Sequence, residues 1–376
     1  MSRSNEQIYR KLSAHARLDV AIEMMAFMSA QIRKELRLAK AKQAGSEEMA
    51  GLKAKREILA RERQMMYLGD EAMIRKAIVE YGEQIKEKFK GKARDFPTYK
   101  LPAMEHDAVF AEIQASILDP VRPVGQPAAL ILGGQPGSGK AGLIRIPVSE
   151  LKDGNVAIIN GDEFREDHPY SKEILKKHEQ DYAKLTDPDV REWTKRLFDL
   201  AIETRRNIIF EGTMRNAGPI CNTLDRLIRE GYKVIIRVMA VNEKDSLLAV
   251  FERYEGQKAT KGAGRIAPRS SHEAAYSGML HTVERIEKEK LFHILQVYNR
   301  DYKLLYENRM VNDKHQHSPD AVRAIREERD KEWTPEKTEQ YYQKWEQVIS
   351  MMKARKADPE ETTDVIKIIN EFLSRE

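Results

Sequence analysis

Leu18, Ile22, Met25, Met28, Ile32 and Leu36 recur at spacings of three and four. That spacing puts them on one face of a helix. Gly45-Ser46 breaks the pattern, and Ser46 with Glu47 and Glu48 reads as a helix start. Leu52, Ile58, Met65 and Met66 carry a second helix. Gly69-Asp70 breaks it again, and Asp70 is predicted to cap a third helix running to about Phe89. Residues 1–95 contain no proline. They read as an all-α region of two or three long helices, each with one apolar stripe. Such stripes must pack on one another or on the segment C-terminal to them.

Residues 96–126 read as a linker punctuated by Pro97, Pro102, Pro120 and Pro123, with a short helix from about Glu105 to Leu118. From Pro127 the pattern changes. Apolar runs at Ala128–Leu132, Asn155–Asn160, Asn207–Glu211, Lys233–Val241 and His293–Asn299 alternate with helical stretches. Alternation at this period predicts right-handed βαβ crossovers and a mostly parallel sheet covered on both faces. Pro147 is expected to stop or kink the helix after the first strand within about two turns. Residues 311–376 show no convincing strand. Trp333-Thr334-Pro335 and Asp358-Pro359 each start a helix there. The expected layout is a helical regulatory region (1–95), a linker (96–126), an α/β domain (127–310) and a helical C-terminal extension (311–376).

Composition narrows this little. A charged fraction of 33% beside 41% apolar residues suits a water-exposed protein rich in surface helices. No apolar run approaches the roughly 18 residues of a membrane span. The N-terminus lacks the apolar core of a secretion signal, and Cys221 is the single cysteine, so no disulfide framework can form. Both features fit a cytoplasmic protein, with Cys221 read as a small core residue. The net charge of +5 sits in the first region, where residues 1–95 hold 21 Lys+Arg against 14 Asp+Glu. That excess fits a solvated basic helical face, or a nucleic-acid surface.

The densest chemistry comes after the first strand. Gly134-Gln135-Pro136-Gly137-Ser138-Gly139-Lys140 has the G-x-x-x-x-G-K spacing of a phosphate-binding P-loop. Its glycines let backbone N–H groups curl around phosphate oxygens, and Lys140 would reach the β- and γ-phosphates. The next residue, whose hydroxyl normally meets Mg²⁺, is Ala141. A carboxylate or waters could hold the metal instead, the site could be weakened, or the residue could have been changed on purpose. The metal ligands stay unassigned. Ligands of an open parallel sheet gather beyond the carboxyl ends of its strands. Asp162 stands there, able to accept a proton from a substrate hydroxyl or to cap the following helix. So do Glu211, Thr213 and Arg215, a polar cluster at one strand tip, although Thr213 also suits a turn and Arg215 a surface. The stretch Gly256–Arg269 holds Lys258, Lys261, Arg265 and Arg269 among glycines. It reads as a mobile basic lid over phosphates, or as a solvated loop.

GGQPGSGK, NVAIINGDEFREDHP, NIIFEGTMR, ERYE and GRIAPRSSHEA, in that order over roughly residues 127–305, resemble the zeta toxin kinases of bacterial toxin–antitoxin systems. The resemblance implies a P-loop NTPase fold. It also implies ATP-dependent phosphorylation, with Mg²⁺, of the 3′-hydroxyl of the amino sugar of UDP-N-acetylglucosamine. By the same resemblance Lys140 is the P-loop lysine and Asp162 the general base. Glu211, Thr213 and Arg215 are sugar-nucleotide contacts, and Arg253 and Arg265 bind ATP phosphates. A further glutamate of the family falls here at about Lys195, with Glu192 one turn away. The family is usually restrained by a separate helical antitoxin whose helix blocks the ATP site, and some members carry a fused segment doing the same. Residues 1–95 resemble the fused arrangement. Two other readings fit the residues: a P-loop kinase for another nucleotide or small hydroxyl compound, and a non-catalytic nucleotide-binding module.

Overall fold

The computed structural model describes residues 3–90, 98–151, 153–312 and 314–373. The boundary expected after residue 95, and Pro97, lie outside the described residues. The chain opens with α1 (Arg3–Lys11), α2 (Ala14–Ala41) and α3 (Ser46–Tyr67). Next come α4 (Glu71–Lys76) and α5 (Gly82–Lys88), joined through a π-helical turn at Ala77–Tyr81, and then α6 (Ala103–Ile117). Asp70 caps α4 as expected, its carboxylate accepting from the N–H groups of Ala72 and Met73. The cap of α3 is Gly45, with Ser46 already helical.

The α/β part runs β1 (Ala128–Gly133), β2 (Ala157–Ile159), α7 (Ser171–Lys177), α8 (Tyr182–Glu203), β3 (Ile208–Gly212), α9 (Ala217–Arg229) and β4 (Lys233–Met239). It continues through α10 (Glu243–Lys261), α11 (Arg269–Lys288), β5 (Ile294–Tyr298), β6 (Leu304–Val311) and β7 (Lys314–His315). The C-terminal helices are α12 (Ala321–Arg329), α13 (Pro335–Ala354) and α14 (Pro359–Leu373). The strands form one sheet in the order β2-β3-β1-β4-β5-β6-β7. The first five run parallel and β6 and β7 add an antiparallel edge. This is the expected architecture: a mostly parallel sheet with helices on both faces, preceded by an all-helical region.

Alternate residues of the central strands feed two cores. Ala129, Ile131, Ile208, Val234 and Ile236 join α6, α8, α9 and α11 on one face. Leu130, Leu132, Ile209 and Ile235 belong to a second core that also contains Met24 and Met25 of α2, Tyr67 of α3 and Trp345 of α13. The N-terminal helices are therefore part of the sheet's own packing.

Four expectations need correction. The segment after the P-loop is a 3₁₀ turn, Lys140–Arg145, rather than a two-turn helix. Pro147 holds Ile146 extended (φ −75°, ψ 122°), and a Cβ on Gly142 would lie 1.9 Å from the Tyr302 hydroxyl, so there is room for nothing longer. The second correction concerns residues 304–315, which hold β6 and β7. Their half-exposed edge positions carry no clean alternation. Third, α2 has more than one buried stripe, because every residue from Val20 to Ala26 is buried. Fourth, Ile58 and Met65 of α3 face solvent, at 54% and 43% exposure, while Met66 is buried.

Candidate functional site

β1 ends in the glycine loop, and two of its glycines take the left-handed backbone that the turn requires: Gly137 (φ +76°) and Gly139 (φ +81°). The loop is gripped from outside. The guanidinium of Arg300 donates to Gly137 O and the Tyr302 hydroxyl to Gly139 O, each at 3.0 Å. Gln135 donates to Val241 O (2.9 Å) and accepts from buried Arg329 of α12 (3.3 Å). The C-terminal extension thus reaches the loop.

Beyond the strand tips lies a cavity of about 80 Å³. Lys140, Asp162, Glu211, Thr213, Arg253 and Arg265 line it, with Pro136 and Ala141 from the glycine loop. The Lys140 ammonium lies 3.5 Å from a Glu211 oxygen, and Asn160 donates to the other (3.1 Å). Burial pushes the Glu211 carboxyl up, against the pull of Lys140. Asp162 stands at the capping position just before the 3₁₀ turn Glu163–Asp167 but its side chain makes no capping bond. Its carboxylate instead takes Arg165 Nε at 3.0 Å and Arg265 Nη2 at 3.1 Å. Burial would raise its pKa, yet Arg265, Arg165 and Arg253 outweigh that and hold it well below the usual carboxylate range. Arg253 is pulled down by burial and by Arg265 beside it. The Nε atoms of Arg253 and Arg265, and Ser138 Oγ, are buried without a hydrogen-bond partner among the described residues. Unpartnered buried donors around a glycine loop fit a polyphosphate.

The metal fares differently. Ala141 offers no hydroxyl, and among the described residues no three His, Cys, Asp or Glu side chains stand together as a metal site. These residues do not fit a protein-held Mg²⁺.

Arg215 stays apart from the rest of the expected set. It is exposed and does not line the cavity. Met214 turns the chain there with φ +53°, and α11 packs on the backbone: a Cβ on Gly278 would lie 2.1 Å from Arg215 O. Lys195 pairs with Asp199 at 2.7 Å on the surface, and the Glu192 side chain is 62% exposed. The basic lid is also corrected. Residues 256–261 belong to α10, where Lys258 pairs with Glu179 (2.7 Å), and Lys261 is fully buried between Glu166 (2.9 Å) and Glu23 (3.1 Å).

Asp19, Ile22 and Glu23 of α2, which the sequence had not singled out as site residues, also line the cavity. Two carboxylates at i and i+4 around an apolar stripe were the signal available in the sequence. Ser13 caps α2 and binds Glu252 of α10 through its N–H and its hydroxyl, the latter at 2.7 Å. His15 lies on Tyr302, with ring centroids 5.4 Å apart, and donates to Arg300 O (2.9 Å). The turn beside Asp162 is held by the same helices. Arg33 grips Asp167 (2.6 and 2.7 Å), while Arg63 (2.8 Å twice) and the Tyr67 hydroxyl hold Glu163.

The family model described as Zeta toxin matches residues 114–311. Toxin zeta of Enterococcus hirae is 34% identical over 186 residues, covering 49% of this chain and 65% of that protein. Toxin PezT of Streptococcus pneumoniae is 29% identical over 185 residues, covering 49% and 73%. The chain spans slightly under two thirds of the toxin zeta relatives it matches. A solved chain of the PezAT chromosomal toxin–antitoxin system of S. pneumoniae superposes with a TM-score of 0.57 at 23% identity, covering 68% of this chain and 99% of that one. That likeness supports the fold.

Proposed function

Since this chain belongs to the zeta toxin family, we propose that it is a toxin kinase of the toxin–antitoxin type, restrained by its own N-terminal helices. It would move the γ-phosphoryl group of ATP to the 3′-hydroxyl of the amino sugar of UDP-N-acetylglucosamine in the bacterial cytoplasm. The observation that carries the reading is the meeting of Lys140, Asp162, Arg253 and Arg265 around one cavity. The loop from Gly134 to Lys140 would cradle the phosphates. Lys140, Arg253 and Arg265 would offset charge on the transferring group, and the Asp162 carboxylate would take the proton of the attacking hydroxyl. Glu211 and Thr213 would face the acceptor. The layout expected from the sequence serves this division of labour, with residues 1–95 as regulator and 127–310 as kinase.

Restraint in cis is supported by space and charge. Ligand pockets run to about 300–1,000 Å³, and with α2 seated only about 80 Å³ is left. Asp19 and Glu23 put carboxylates among the very cations that would meet phosphates. A separate antitoxin chain would act on the same site.

A second reading, a kinase for another nucleotide or small hydroxyl compound, draws on Arg215, Lys195 and Glu192 lying outside the cavity. One assay separates them: ATP-dependent phosphate transfer to a panel of UDP-sugars and nucleosides, with Asp162→Asn and Lys140→Ala as controls. UDP-N-acetylglucosamine should be the preferred acceptor, and Asp162→Asn should lose about 10²- to 10⁴-fold in turnover. Preference for a different acceptor would favour the second reading. Near-wild-type turnover of Asp162→Asn would remove the base assignment.

A further inference from the structure

A second cavity, of about 190 Å³, shares no lining residue with the first. It lies between the N-terminal helices and the α/β part, with α2 and α3 on one side and the end of α6 and the start of β2 on the other. Its lining includes Arg33, Arg56 and Arg63 and no carboxylate. Arg33 and Arg63 commit Nε and Nη2 to Asp167 and Glu163, and neither Nη1 makes a bond among the described residues. No hydrogen bond or ion pair ties Arg56 to another described residue. Ser116 Oγ, also in the lining, is buried without a partner. Ser29, Gln64 and Asn155 also line it, and its apolar part is led by Leu59, Val121 and Ile158.

A cavity with three arginines, unused guanidinium donors and no carboxylate in its lining is built for an oxyanion. Its apolar wall adds a place for a hydrocarbon or ring body. We propose that it is a regulatory site for a small organic oxyanion: a phosphate monoester or a carboxylate carried on an apolar body. Arg56 and the two spare Nη1 groups would take the anionic head without disturbing the pairs to Asp167 and Glu163. Because both walls are needed to form the site, the ligand binds the docked arrangement of α2 and α3 and no other. By linkage it then holds those helices down. That regulatory consequence rests on the inhibitory role of α2 proposed above, whereas the binding does not.

Phenyl phosphate is a suitable probe, titrated calorimetrically into the full chain, with inorganic phosphate and phenol as its two halves. Wild type and Lys140→Ala should bind it alike, and each half more weakly. Arg56→Ala should lose at least tenfold in affinity with an unchanged circular dichroism spectrum. Ala60→Leu, which adds bulk at the cavity's exposed rim and removes no charge, should also weaken binding. Absence of binding to wild type overturns the site. So does binding that survives in both Arg56→Ala and Ala60→Leu, or that vanishes in Lys140→Ala. Turnover in saturating phenyl phosphate should fall several-fold in wild type and not in Arg56→Ala. Should binding match the expected pattern while turnover stays constant, the site stands and its inhibitory consequence fails.

Discussion

His15 makes the contact between α2 and the glycine loop sensitive to pH. Its ring is packed on Tyr302 beside the glycine loop. Burial, with Arg300 close by, pulls its pKa from 6.5 to about 4, and Asp19 opposes this only in part. A histidine that must stay neutral in the fold takes up a proton more readily when unfolded. Between pH 6.5 and 4 the unfolded chain therefore binds more protons, so stability rises with pH across that window. Its contribution is complete above about pH 6.5 and is lost as pH falls toward 4. A shift of this size corresponds to about 3 kcal/mol. Denaturant unfolding at pH 7 and pH 4.5 checks this on wild type and His15→Gln, which keeps a donor for Arg300 O. The wild type should lose more stability on acidification, by roughly 2–3 kcal/mol. Buried His272, also pulled down to about 4, leaves part of the loss in both proteins. An equal loss would show that His15 titrates as it does in the open chain.

At the scale of elements, α2 ties the N-terminal helices to the α/β part. Most strands, and the helices starting at Pro335 and Pro359, were legible because local chemistry declares them: apolar runs of four to six residues, a Thr334 cap, prolines at a first turn. The glycine loop was legible from spacing alone. Three things were not, and each is a tertiary effect. The 3₁₀ turn after Lys140 is short because Tyr302, distant in sequence, fills the space beside Gly142. The first half of the expected lid, residues 256–261, is helical, and Lys261 there is tied to two buried carboxylates. The wall that α2 gives the cavity depends on where a helix docks, which periodicity cannot reveal. Its hold can be weakened in a graded way. Ser13 Oγ accepts from Ala16 N at 3.3 Å and donates to Glu252. Losing such a cap costs about 1 kcal/mol. If nucleotide binds only when the first turns of α2 have lifted from the cavity, that loss raises the open population about fivefold, and apparent affinity with it. Ser13→Ala should thus bind a non-hydrolysable ATP analogue about fivefold more tightly than wild type. Unchanged affinity alongside lowered stability would mean that α2 does not gate the nucleotide.

For the whole molecule, the question is whether the N-terminal helices and the α/β part can be separated. Five of the largest fully buried side chains, Met24, Met25, Leu36, Met66 and Tyr67, come from α2 and α3. They share a core with Leu130 and Leu132 of the central strand. Burying one large apolar side chain contributes about 1.5–3 kcal/mol, and a folded domain retains only about 5–15 kcal/mol in all. Removing α1 to α5 would therefore take away more burial than the remainder can spare, and would open the sheet face around Leu130 to water. The truncated 3₁₀ turn after the glycine loop cannot cover that face, since it spans only Lys140–Arg145. A chain beginning at residue 98 should accordingly be insoluble, or should bind a hydrophobic dye and melt without a cooperative transition. The full chain should melt in one. Supplying residues 1–95 on a separate chain during expression should recover soluble material, because the missing face is restored without a covalent link. A soluble, monomeric 98–376 chain that melts cooperatively within a few degrees of the full protein would overturn this. It would also mean that α2 and α3 lie on the kinase as a detachable cover and are dispensable to its core.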